Sequence, residues 1–312
     1  MLNKNKERKV NLENKILIGV DFGGTKILTG AMTTEGKILG EPVKIPTNPN
    51  EEPGKIIKRI TGSIEEVLGR IKAKVFDVKG IGLGVTGPLD IKNGIILECP
   101  QLPTLHFYPL RKAIEEYFAL PVYMNNDANC LIYGEALFGS GVGLNNVVGF
   151  TLGTGLGCAI ILNKKIFLGS TESAGEIWPS PYGDGTIEDL VSGAGVSKIY
   201  KKNCGEDKSA LEIALLAEKK NTHALKTWKE FGKHLAAAVS WTINLIDPEI
   251  IILGGSISNA FKFFSPSLES NLRKQICPTP AAKTKIVCAK LGANAGLIGA
   301  AALAIEYPQD KL

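Results

Sequence analysis

No stretch of this sequence approaches the roughly 20 consecutive apolar residues of a membrane-spanning helix, so no membrane partner is expected. Residues 1–15 are polar and lack the apolar centre of a secretory leader, which points to a cytoplasmic location. Six cysteines occur (Cys99, Cys130, Cys158, Cys204, Cys277 and Cys288), yet none forms a Cys-x-x-Cys or meets a histidine at metal-ligand spacing. Several sit in apolar runs, where a free thiol behaves as a small hydrophobe, and a reducing compartment fits them. Histidine is scarce: His106, His223 and His234 show neither a nucleophile-base arrangement nor a metal set and read as structural or surface residues. The net charge of +5 is modest. It comes from scattered lysines and from Lys4, Lys6, Arg8 and Lys9, which read as a solvated tail, and no nucleic-acid partner is expected.

What is present is the composition of a soluble globular protein, 44% apolar and 21% charged over 312 residues. That length exceeds one ordinary core and predicts two domains. Strand patterns at 15–21, 27–34, 38–46, 80–86, 94–98, 121–125, 146–152, 157–163, 165–168, 249–254 and 284–289 alternate with helical ones. The helices are expected at 53–73, 109–119, 128–138, 187–201, 208–220, 222–246, 257–275 and 293–306, which predicts an α/β fold with helices covering sheets.

Two glycine-rich turns dominate. Asp21-Phe22-Gly23-Gly24-Thr25-Lys26 follows the apolar run Ile16–Val20, and Gly153-Thr154-Gly155-Leu156-Gly157 follows Val147–Leu152. A P-loop or dinucleotide fingerprint feeds its glycines into a helix. Here both turns run into β-type residues, so they read as hairpins whose backbone can cradle an anion. Strand, Gly-Thr turn and hairpin occur twice, a weak internal duplication that would set the two turns face to face across a cleft. Gly-Thr turns are also common hairpin devices.

Asp21, at the end of a buried-looking strand, could hold a metal ion beside a triphosphate, with Thr25 and Lys26 supplying a hydroxyl and a cation. An Asp-Gly turn satisfying its own backbone fits the same residues. In Asn125-Asn126-Asp127-Ala128-Asn129, Asn126 or Asp127 could simply cap the next helix. Alternatively, Asp127 ends a strand where α/β proteins place ligands. With an ordinary pKa of about 3.9, it would mainly orient a substrate hydroxyl and take its proton late. Thr86-Gly87-Pro88 reads as a tight turn that brings backbone close to a ligand. Glu176 and Glu188 could grip vicinal sugar hydroxyls, with Trp178 and Tyr182 offering an aromatic face or merely packing the loop. Gly254-Gly255 ends a buried strand and could admit a purine, or serve as an ordinary strand–helix connection. The small-residue segment 291–301 reads as a closely packed helix.

In this order the motifs Asp21–Lys26, Gly82–Pro88, Asn126–Asn129, Gly153–Gly157, Ala174–Glu176, Glu188, Gly254–Gly255 and Gly292–Ala301 resemble the ROK family of sugar kinases and regulators, within the actin/Hsp70/hexokinase superfamily. The resemblance implies two RNase H-like (actin-like ATPase) α/β domains around a nucleotide/sugar cleft: 1–126 with 293–312, and 127–292. It implies Asp127 as catalytic base and Gly87, Gln101, Asn126, Glu176 and Glu188 as the substrate set. The nucleotide set would be Asp21, Gly23, Gly24, Thr25, Lys26, Gly153, Thr154, Gly155, Gly254 and Gly255, with Mg²⁺ near Asp21, directly or through water. A homodimer is also implied. Three departures stand out. The family commonly follows Ala-Gly-Glu with x-Gly-His and a cysteine-rich zinc loop; here Pro179 stands at the histidine, the loop is gone, and no zinc is expected. Gln101 replaces an asparagine that can touch the sugar. Thr86 replaces a frequent proline.

The resulting expectation is ATP- and Mg²⁺-dependent phosphorylation of a hexose hydroxyl, at C6 of glucose or a related sugar. The alternatives are an N-acetylhexosamine kinase, for example of N-acetylmannosamine, and a ROK protein that binds sugar and nucleotide without transfer. A transcription regulator would need a helix-turn-helix module, for which the about fifteen residues before the first strand are too few.

Overall fold

The computed structural model describes residues 16–279 and 283–306. The basic segment carrying Lys4, Lys6, Arg8 and Lys9 lies outside the described residues, as do both chain ends of the expected first domain. The chain divides into two compact units, one running to Asn125 and resuming at Ala300, the other spanning Asn126–Gly299.

The first unit opens with β1 (Ile16–Phe22), β2 (Lys26–Thr33) and β3 (Ile38–Pro46), followed by α1 (Pro53–Arg70). Next come β4 (Val78–Val85), the short β5 (Leu89–Asp90) and β6 (Ile95–Ile96), α2 (Leu110–Phe118) and β7 (Val122–Asn126). Its main sheet has the order β3-β2-β1-β4-β7. β1 pairs antiparallel with β2 and parallel with β4, so Asp21 lies between Leu28 and Gly84. Ile16 through Val20 are all buried, as a strand covered on both faces requires. α1 buries Ile56, Ile60, Ile64 and Val67, a stripe at helical spacing, and Pro53 opens it where no N–H is needed.

The second unit begins with α3 (Asp127–Phe138), β8 (Val147–Leu152), β9 (Leu156–Leu162) and β10 (Lys165–Ile166). A small hairpin, β11 (Pro181–Tyr182) and β12 (Gly185–Thr186), precedes α4 (Gly193–Cys204), α5 (Ala210–Glu218) and α6 (Thr222–Ile246). β13 (Ile250–Gly254), α7 (Phe261–Leu272) and β14 (Lys285–Cys288) follow, and α8 (Ala295–Glu306) begins in this unit and runs on into the first from Ala300. The sheet order is β10-β9-β8-β13-β14. Its plan repeats the first: an antiparallel three-strand meander, then a parallel neighbour, β13, on the free side of the first strand. α6 and α7 close one face through Trp228, Phe231 and Phe264, whose rings meet at 5.6 and 5.2 Å. No helix among the described residues is long and apolar enough to cross a membrane.

The short strands β5, β11 and β12 fall outside the expected set, the strand expected over 94–98 is only Ile95–Ile96, and two helices differ in extent. The helix expected from 187 begins only at Gly193, because Ser192 turns away from helical backbone and its hydroxyl caps Gly195 N–H at 3.1 Å. The helix expected over 257–275 divides into a 3₁₀ segment, Ser256–Ala260, and α7. Gly255 precedes it at φ 83°, where the strand leaves the sheet.

Candidate active site

In the first unit, the ends of β1 and β2 are joined by a turn closed by Gly23 N–H donating to the Lys26 carbonyl at 3.1 Å. Thr47, fully buried, donates its hydroxyl to the Gly23 carbonyl at 2.6 Å, and its N–H meets the Thr25 carbonyl at 3.1 Å. The turn is thus held from behind, while Thr25 itself is exposed. Asp21 lies inside β1 with its side chain 19% exposed, and Lys26 Nζ approaches its carboxylate at 3.3 Å. Burial raises the Asp21 pKa, and the Lys26 charge and hydrogen bond only partly offset it.

Gln101 packs onto this turn. A Cβ added to Gly24 would lie 2.8 Å from Gln101 Cβ and 2.9 Å from its carbonyl oxygen. Gln101 Oε1 accepts from the buried Cys99 thiol at 3.4 Å, and that thiol also lies 3.6 Å from the Thr86 carbonyl. Thr86 N–H in turn donates to the Phe22 carbonyl at 3.2 Å, and the Gly87–Pro88 bond is cis. Asp21, Gly23, Gly24, Lys26, Gly87 and Gln101 therefore belong to one neighbourhood, linked through β1, β4 and the 86–101 segment.

The second unit holds a matching turn. Gly153 N–H donates to the Gly155 carbonyl at 3.1 Å, and the Gly153 carbonyl accepts from Gly193 at the start of α4 at 2.8 Å. Thr154, between Gly153 and Gly155, is exposed, as Thr25 is. Glu188 reaches this turn: its Oε2 accepts from Leu156 N–H at 2.7 Å and would lie 2.6 Å from a Cβ at Gly155. Asp127 is the first residue of α3, and both Asn126 Oδ1 (2.9 Å) and Asp127 Oδ1 (2.8 Å) accept from Ala128 N–H. The capping role and a place at a strand end thus coexist, and both side chains are half-buried. α3 starts against the second glycine hairpin, since a Cβ at Gly157 would come 2.7 Å from Ala128 Cβ.

Glu176 and Trp178 are exposed, and the indole Nε1–H donates to Glu176 Oε2 at 2.7 Å. Gly175, at φ 91°, leaves no room for a side chain above the Cys158 carbonyl, which ties Glu176 to β9. The buried Cys158 thiol is pushed up to about 12, by burial first and by the nearby Glu176 charge second. Tyr182 turns elsewhere and shares a 3.1 Å hydrogen bond with His234. Gly254 is buried, and a Cβ there would come 2.7 Å from the end of the Leu131 side chain; Gly255 is exposed.

Among the described residues no three His, Cys, Asp or Glu side chains cluster as a metal-ligand set. Asp21 fits a different kind of site. Mg²⁺ keeps several waters and is held by one or two carboxylates together with substrate phosphates. Sequence reasoning missed Thr47, Cys99 and the fully buried Glu135, whose carboxylate accepts from Ser140 N–H at 2.8 Å and Leu291 N–H at 2.6 Å. Thr47 meets Gly23 across 24 positions and Glu135 meets Leu291 across 156, too far along the chain to leave a local pattern, and the Cys99 thiol has only a short apolar run around it.

The sequence pattern of the ROK family matches residues 17–307. A glucokinase of Halalkalibacterium halodurans is 29% identical over 313 residues, covering 92% of this chain and 94% of that protein. An N-acetyl-D-glucosamine kinase of Vibrio cholerae is 29% identical over 310 residues, covering 92% and 99%. Among solved structures, a ROK family glucokinase from Streptomyces griseus in complex with glucose and AMPPNP superposes with a TM-score of 0.79 at 27% identity, covering 94% of this chain and 100% of that one.

Proposed function

The chain belongs to the ROK family and is a sugar kinase, and from that premise we propose that it transfers the terminal phosphoryl group of ATP to a hexose hydroxyl, the one at C6 of glucose or a closely related sugar. In this reading Asp127 is the base. Its carboxylate orients the sugar hydroxyl and takes the proton as the oxygen–phosphorus bond forms, which suits a reaction carried by positioning and charge neutralisation. Asn126, Glu176, Glu188, Gln101 and the backbone at Gly87 hold the sugar.

The phosphates are served by the turns of Gly23, Gly24 and Thr25 and of Gly153, Thr154 and Gly155, with the exposed Thr25 and Thr154 hydroxyls as donors and Lys26 as a cation; the Gly23 and Gly153 N–H groups close the turns themselves. Gly254 and Gly255 border the nucleoside. Asp21 would hold Mg²⁺, which when bound neutralises charge on the phosphate oxygens. The solution form is a homodimer, measurable by light scattering.

The observation that carries the reading is the junction in the second unit. The strand end bearing Asn126 and Asp127 abuts the glycine hairpin through Gly157 and Ala128, and Glu188 is bonded to that same hairpin. The test is transfer from ATP across a panel of hexoses and N-acetylhexosamines, with the Asp127→Asn protein as blank. Sugar-dependent ADP release is expected with glucose or a near relative. ATP binding without release for any sugar would contradict it.

A second reading, an N-acetylhexosamine kinase, is favoured by the N-acetyl-D-glucosamine kinase matching at the same 29% identity as the glucokinase. The same panel separates the two.

A further inference from the structure

We propose that Trp178 is the positioning residue for Glu176, and that its exposed ring shapes the sugar subsite. The inference rests on the reading that Glu176 receives sugar hydroxyls. An exposed glutamate has free side-chain torsions, and fixing them on binding costs affinity. Here the cost is met before the sugar arrives. The indole N–H is a donor only, so the 2.7 Å bond fixes Glu176 Oε2 as an acceptor and leaves Oε1 for a hydroxyl.

The main chain restrains the same pair. Gly175 is seated on the Cys158 carbonyl, and Glu176 N–H donates to the Ser173 carbonyl at 3.2 Å. The Trp178 carbonyl accepts from Glu188 N–H at 3.4 Å, and the Ser180 carbonyl from Ile187 N–H at 3.0 Å. Trp178 is thus bonded to both glutamates of the substrate set, through its side chain to one and its backbone to the other. Trp178 is 43% exposed, which leaves an apolar ring face beside the Glu176 carboxylate. A flat apolar face next to a fixed carboxylate suits a pyranose, with C–H groups on one side and hydroxyls at the edge.

The experiment measures sugar affinity by calorimetry without nucleotide, alongside transfer kinetics, for wild type, Trp178→Phe, Glu176→Gln and the double variant. Phe keeps the ring and removes the N–H. Trp178→Phe is expected to weaken sugar binding roughly ten-fold, the size of one hydrogen bond to a charged group, with the ATP KM unchanged. In the Glu176→Gln background it should add little, because the two side chains act as a unit. An unchanged sugar affinity in Trp178→Phe overturns the inference whatever transfer does. So does a double variant in which the two losses multiply. Sugar binding that weakens as expected, in a protein that transfers phosphoryl to nothing, supports the inference and overturns the kinase reading instead.

Discussion

At the scale of single residues, Asp21 stands out because its environment works against its charge. Burial raises its pKa more than Lys26, 3.3 Å away, lowers it. The folded protein therefore binds this proton more tightly than the unfolded chain. The contribution of Asp21 to stability is greatest below the unfolded carboxylate range, falls as pH rises from there through the raised folded pKa, and stays at the lower level above it. Asp21→Asn is thus expected to melt at or above the wild-type temperature at neutral pH without nucleotide. It should lose most of the added stabilisation that Mg²⁺ and ATP give the wild type. A thermal melt with and without Mg-ATP reads both; a lower melting temperature in the absence of ligand would mean that the Lys26 pair outweighs burial. The placement of Asp21 at the end of a buried strand and of Lys26 after the turn was legible because the strand pattern and turn chemistry around them are local. Glu188 was legible as a carboxylate but not in its partner, Leu156 N–H, which lies 32 positions away.

At the scale of elements, the two glycine hairpins depend on what presses against them. Gly24 faces the backbone of Gln101, which cannot move as a side chain can. Gly24→Ala should displace the 99–101 segment and destabilise the fold by about 1–3 kcal/mol, the usual range for overpacking. It should raise the KM for ATP and for sugar together. Denaturant melts and steady-state kinetics check this, and a change confined to one KM would show that Gln101 and the turn act separately. Gly175→Ala combines a strained backbone at φ 91° with a clash on the Cys158 carbonyl, and sugar affinity should fall more than ATP affinity. The hairpins, α1 and α6 were readable from apolar runs and helical spacing. The start of α4 was not, because the apolar spacing continues back through Ile187 and Leu190; the Ser192 cap and the hydrogen bonds of Ile187 and Glu188 decide the boundary.

At the scale of the whole molecule, each unit carries a five-stranded sheet built on the same plan, and each has one glycine hairpin after its first strand. The repeated strand–turn–hairpin signal in the sequence corresponds to this repeated topology. Long-range pairings such as β8 with β13 were beyond it, since parallel neighbours are joined through distant chain. Metal should matter to the reaction and not to the fold. Excess chelator is expected to stop transfer reversibly, with Mg²⁺ restoring it. The melting temperature without ligand is expected to stay unchanged. A chelator-induced drop in melting temperature would reveal a structural ion.

The most direct measurement is turnover by the Asp127→Asn protein at saturating sugar and Mg-ATP, with calorimetric affinities for each ligand alone. Turnover is expected to fall on the order of 10²–10⁴-fold, with both ligands still bound at near wild-type affinity. Turnover within a few-fold of wild type, or a loss wholly explained by weakened sugar binding, would contradict Asp127 as the base.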